Sequence, residues 1–122
     1  MKNLIITLLA SILLLSCNSK QPETLKSVLR DKFLIGTALN LEQIYQRDTL
    51  ANSVIPEQFS AIVPENCMKS MFLQPKEEEF FFDDADKYVE YGEKHNLWIV
   101  GHCLVWHSQT PDWFFVDGTG KE

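Results

Sequence analysis

The chain has 122 residues, 45% hydrophobic and 23% charged, a balance that excludes a disordered polymer and leaves room for one small domain. Its formal charge of −6, with no block of Lys or Arg, excludes a nucleic-acid partner, because nothing in it could neutralise a phosphate backbone. Three cysteines are too few for a disulfide framework.

In chain order, Lys2 supplies a short positive region and Leu4 to Leu15 an apolar run broken only by Thr7 and Ser11. That run is short for a transmembrane helix and suits a signal peptide. Leu14-Leu15-Ser16-Cys17 then resembles a bacterial lipoprotein box, in which the cysteine is acylated after cleavage. The expected organisation is a signal peptide over 1–16, a lipidated Cys17 with a polar tether over 17–23, and a folded portion over 24–122. The chain is expected to be exported and anchored to a bacterial membrane through Cys17; the plainer alternative is an ordinary signal peptide on a secreted or periplasmic protein.

Thr24 can cap a short helix whose Leu25, Val28 and Leu29 follow helical spacing. Phe33 to Ala38 reads as a first buried strand, and residues 39–47 as a loop carrying Asn40 and Tyr45. Asp48 can start a helix through Leu50 and Val54 that Pro56 should end or kink. Phe59 to Val63 is a second apolar run, stopped by Pro64. Met68 to Phe82 reads as irregular, with Glu77-Glu78-Glu79 as a solvated loop. Asp83 or Asp84 caps the strongest predicted helix, which places Ala85, Tyr88, Val89 and Gly92 on one face, Lys94 and His95 in its last turn and Asn96 at its stop. A third strand follows over Leu97 to Val100. Cys67 and Cys103 fall at the ends of adjacent strands and are expected to be buried free thiols.

Continuous apolar strands alternating with helices imply a parallel α/β sheet, either doubly wound or part of a (β/α)8 barrel. Both architectures place ligands at the C-terminal ends of their strands. No glycine-rich phosphate-binding pattern follows any strand, and no cofactor is implied.

Two clusters sit at such ends. After the second strand, Glu65 can accept from sugar hydroxyls, Asn66 can donate and accept, and Lys69 can donate; the plainer reading is a turn with a Glu–Lys ion pair. After the third strand come His102, Trp106, His107 and Gln109, where an indole can stack on a sugar ring and amide and imidazole groups can bond hydroxyls. One of the histidines can instead be a core residue. A metal site is not expected, because His102 and Cys103, adjacent on a strand, point to opposite faces and no zinc-binding spacing is present.

Pro64-Glu65-Asn66, Met68-Lys69, Gln74-Pro75, the Phe80–Phe82 patch, Ala85-Asp86 and the run from Gly101-His102 to Trp113 resemble glycoside hydrolase family 10 in order and spacing. The resemblance spans roughly residues 25–122 and departs from the family pattern at Pro56, Ser60 and Glu78. It implies a fragment of a (β/α)8 barrel, about the first three β/α units, from a retaining endo-1,4-β-xylanase. It also implies that Glu65, Asn66, Lys69, His102, Trp106 and Gln109 line the sugar subsites on the glycone side, with His107 supporting them, and that xylan or xylo-oligosaccharides are the ligand. The family's two catalytic glutamates belong to its fourth and seventh strands and are expected beyond residue 122, so this chain alone is expected to be inactive. A non-catalytic xylan-binding lipoprotein and a non-functional truncation product remain the rival readings.

Overall fold

The computed structural model describes residues 22–121; Cys17, the apolar run before it and most of the expected tether lie outside them. Helix α1 (Leu25–Leu29) starts as expected at Thr24, whose Oγ1 accepts from Ser27 N at 3.2 Å while Ser27 Oγ accepts from Thr24 N at 2.9 Å. It docks on α3 (Ala51–Gln58), where Leu25 N donates to Gln58 Oε1 at 3.0 Å and Lys26 Nζ to the Pro56 carbonyl.

Three parallel strands form one sheet in the order β1 (Gly36–Leu39), β2 (Ala61–Pro64), β3 (Trp98–Ile99). Gly36 pairs with Ala61 and Leu39 with Pro64 on one side of β2, and Ala61 pairs with Trp98 on the other. The first strand is shorter than the apolar run predicts, and Phe33 and Leu34 are more than half exposed. The reason is pairing: the register begins at Gly36, so the residues before Ile35 have no neighbour to cover them. Gly36 itself permits the close approach to β2, since a Cβ there would lie 3.1 Å from the Ala61 carbonyl oxygen.

Several local expectations change. Residues 39–47 contain a one-turn helix, α2 (Leu41–Ile44), because Asn40 caps it: Asn40 Oδ1 accepts from Glu42 N and Gln43 Oε1 accepts from Asn40 N, both at 2.9 Å. In α3, begun by Asp48 Oδ1 accepting from Ala51 N at 3.1 Å, Pro56 lies inside the helix rather than ending it. Pro56 removes one donor, yet Phe59 N still reaches the Ile55 carbonyl at 3.0 Å, and the burial of Ile55 holds the turn on the core. The stretch expected to be irregular carries α4 (Ser70–Leu73) and a bridge between Lys76 and Glu79.

Helix α5 (Asp83–Lys94) is the longest element, and neither aspartate caps it. Phe82 occupies the cap position in helical conformation with its carbonyl accepting from Asp86 N at 2.7 Å, so Asp83, Asp84 and Asp86 fall in the first turn, where they favour the positive end of the helix dipole. Its buried face is Ala85, Tyr88, Tyr91 and Gly92, with Val89 half-buried. Tyr88 shares its single hydroxyl proton between the Ile62 carbonyl at 2.8 Å and the Val100 carbonyl at 3.2 Å, tying the helix to β2 and to the end of β3. Gly92 faces Ile99, whose Cγ1 would lie 2.5 Å from any Cβ. Asn96, at φ 52°, makes the left-handed stop before β3.

The core joins Leu39, Ile44, Ile55, Ile62, Cys67, Tyr88, Tyr91 and Leu97, contributed by strands and helices on one side of the sheet. Trp98, Val100, Leu104 and Val105 are exposed. Cys67 and Cys103 are both free thiols, but only Cys67 is buried; Cys103 is half-buried.

Candidate sugar-binding site

Because the strands are parallel and each is left at its C-terminal end, the loops after β2 and β3 emerge on the same side of the sheet. The β2 loop is anchored at its start by Glu65 N donating to the Leu39 carbonyl at 2.9 Å. It turns through Asn66, whose carbonyl accepts from Lys69 N at 2.8 Å, and delivers Lys69 to the start of α4. The β3 loop returns over it, with the Gln109 carbonyl accepting from Met71 N at 3.1 Å and Trp113 Nε1 donating to the Gln74 carbonyl at 3.1 Å. Gln109 sits at φ 53°, the left-handed region, held there by contacts to both loops.

The centre of the site is Lys69, 8% exposed. Its ammonium donates to Asn66 Oδ1 at 3.0 Å and to Gln109 Oε1, and Gln109 Nε2 closes the triangle to Asn66 Oδ1 at 3.1 Å. The Trp106 ring lies on the third side, 4.6 Å from Nζ. Among the described residues no carboxylate comes within ion-pair distance of Lys69, so the Glu65–Lys69 pair of the plainer alternative does not form. Two of the three ammonium protons are committed to amide oxygens, and one remains for a ring face or a ligand hydroxyl.

Of the seven residues singled out in the sequence, four meet here: Asn66, Lys69, Trp106 and Gln109. His107 packs edge-on against Trp106, with ring centroids 5.0 Å apart. Glu65 lies beside Asn66 with its carboxylate exposed and unbonded among the described residues. His102 is also exposed, which excludes the core-histidine reading for it. It lines a separate cleft with Met68, Leu73 and Phe82 rather than joining the triangle. Cys67 lies under the β2 loop, where burial pushes its thiol up to about 11, so it is no nucleophile at neutral pH. Sequence reasoning treated Trp113 as part of a motif and missed its structural task of tying the two loops together. An indole two residues after Pro111 gives no signal that its partner is the carbonyl of Gln74.

The strand ends of the parallel α/β sheet thus bring together a nearly buried cation, two amides and an indole. The family model for glycosyl hydrolase family 10 matches residues 24–122, and the chain belongs to that family. It is 46% identical over 99 residues to endo-1,4-beta-xylanase A of Xylanibacter ruminicola, an alignment covering 81% of this chain and 27% of that protein. Among solved structures it is similar to a family 10 endoxylanase retrieved from a sugarcane soil metagenome, with a TM-score of 0.75 and 41% identity over 81% of this chain and 30% of that one. It is also similar to a mutant of an intracellular xylanase from Thermoanaerobacterium saccharolyticum in complex with xylotetraose, with a TM-score of 0.73 and 42% identity over 82% of this chain and 31% of that one. The fold is therefore a partial family barrel, and the chain spans less than a third of the length of these relatives.

Proposed function

We propose that the chain is the sugar-holding portion of an exported endo-1,4-β-xylanase, placed on the glycone side of the bond to be cleaved in xylan. The observation that carries this is the Lys69 triangle: a nearly buried cation held by Asn66 and Gln109 with one proton unspent, walled by the half-open Trp106 ring. A pentose ring laid on Trp106 would bring its hydroxyls to Lys69 and Asn66. A cleavage enzyme gains from such a site because binding energy from a sugar that does not react fixes the position of the one that does. Retaining hydrolysis needs an acid/base and a nucleophile about 5–5.5 Å apart, and this reading assigns both to sequence beyond residue 122.

Trp106→Ala and Lys69→Met are each expected to weaken xylo-oligosaccharide binding about 10- to 100-fold, the scale of about 1–3 kcal/mol for a central aromatic or charged contact. Titration calorimetry reads the affinity, and near-UV circular dichroism checks that each variant keeps its packing. Unchanged affinity in both variants sinks the assignment.

The same proposal places the protein at a bacterial membrane through acylated Cys17, on the strength of Leu14-Leu15-Ser16-Cys17 after the apolar run. Several acyl chains on one cysteine hold firmly where a single chain binds weakly. The expressed protein is expected to enter the detergent phase and its Cys17→Ala variant to stay aqueous. Aqueous partitioning of both removes the anchor.

A further inference from the structure

A cleft of about 290 Å³ lies between the end of α2 and the later turns of α5, and it shares no residue with the Lys69 triangle. Tyr91 lines it and is 3% exposed. The Tyr91 hydroxyl is sealed from solvent and makes no hydrogen bond among the described residues. Burial raises its pKa, so it stays a proton donor without an acceptor. Such a group is destabilising and rare in a folded protein. Two further donors stand in the same cleft. Lys94 Nζ makes one long bond, to Gln46 Oε1 at 3.4 Å, and among the described residues no carboxylate comes within ion-pair distance of it. Gln46 is held at φ 57°, the left-handed region, a strained conformation for a residue with a side chain. Its carbonyl accepts from Asn52 Nδ2 at 2.9 Å, which fixes the turn and leaves its side-chain amide against Lys94. Lys87 and Glu90 line the cleft as well and neutralise each other at 2.6 Å. The lining therefore carries one positive charge in excess, in a chain whose formal charge is −6.

We infer that this cleft binds a small carboxylate anion, held by the Tyr91 hydroxyl, the Lys94 ammonium and the Gln46 side-chain amide. Two carboxylate oxygens offer about four lone-pair sites, enough for all three donors, and the single charge matches the single unbalanced lysine. A water molecule could accept from Tyr91 but would leave Lys94 without a counter-charge. A phosphate would bring further negative charge against Glu90. The Lys94 side chain is exposed, so it can shift from its long bond to Gln46 and admit the anion.

The test is a titration of sodium acetate into the 122-residue chain at constant ionic strength, with chloride as the balancing anion. Backbone amide resonances over residues 44–47 and 87–95 report binding, and thermal melts report the stabilisation it brings. The parent chain is expected to saturate with acetate and to melt higher with it than in chloride alone. Lys94→Gln and Tyr91→Phe should each bind about tenfold more weakly, the size of one hydrogen bond to a charged group. Lys94→Gln changes an exposed side chain and so reads affinity without disturbing the core. In chloride, Tyr91→Phe should melt no lower than the parent, because it removes a donor that has no acceptor when no anion is bound. A tyrosine with a purely structural role would instead lower the melting temperature and leave acetate affinity unchanged, and that result overturns the assignment. Acetate shifts no different from those of chloride, or unchanged affinity in both variants, overturn it as well. Inorganic phosphate binding more tightly than acetate would show that the ligand class is wrong.

Discussion

Pure 122-residue chain incubated with xylan is expected to release no reducing sugar above background. Glycoside hydrolysis by two carboxylates needs them on opposite sides of the scissile bond, about 5–5.5 Å apart with retention or about 6.5–9.5 Å with inversion. Among the described residues no carboxylate bonds to Lys69, Asn66 or Gln109, and Glu65, next to Asn66 in the chain, cannot serve as both acid and nucleophile. Of the two free thiols near the strand ends, that of Cys67 is held neutral by burial. The measurement is a reducing-sugar assay over hours at high protein concentration. Hydrolysis that disappears in Glu65→Gln would show that a single carboxylate suffices and would overturn the assignment of the catalytic pair. Binding without hydrolysis is the result this reading expects, and it leaves the sugar-holding role intact.

The second large effect is on stability and centres on Tyr88, which is fully buried. Burial pushes its hydroxyl pKa up, so it remains a hydrogen-bond donor at every working pH. Its two bonds, to Ile62 and Val100, join the central strand to the strand that launches the His102–Gln109 loop. Tyr88→Phe is expected to cost about 1–3 kcal/mol by leaving the Val100 carbonyl without the hydroxyl while Ile62 keeps only its amide donor, and Tyr88→Ala about 3–5 kcal/mol by opening a cavity as well. Urea midpoints at constant slope measure both. Exchange of the Val100 amide, which donates to Ile62 at 3.0 Å, should speed up in Tyr88→Phe before the global transition moves far. A Tyr88→Phe variant within a few tenths of a kcal/mol of the parent, with unchanged Val100 exchange, would show that the bridge is incidental.

Much of the fold is legible in the residues. Thr24, Asp48 and Asn96 mark helix ends by chemistry that is local: a side-chain oxygen reaching a backbone N–H a few residues on, or a residue tolerant of positive φ. The apolar runs around Ile35, Ile62 and Ile99 mark strands, and their continuity marks a parallel sheet. What failed was also local. Asn40 read as a loop residue although with Gln43 it forms a capping box, and Asp83 and Asp84 read as caps although the chain was already helical at Phe82. Pro56 read as an end or a kink, and the helix runs on through it to Gln58 because the weight of Ile55 packed on the core is not visible in a helix-breaking residue.

The sequence by itself determined the composition of the candidate site: one carboxylate, one Lys, two amides, one indole and two imidazoles placed after two strands, together with the family they resemble. Those choices are carried by residue type and spacing along the chain, which a linear pattern can express. Only the tertiary structure decided which of them act together. Lys69 and Gln109 are forty residues apart, and nothing local tells that the β3 loop folds back to close on the β2 loop through Met71 and Trp113. Nor could the sequence tell that Lys69 would be nearly buried, unpaired with Glu65 and facing Trp106, or that His102 would stand apart. Those outcomes depend on how two loops pack over the end of a sheet, a balance of burial and hydrogen bonding between distant segments that exists only once the strands are in register.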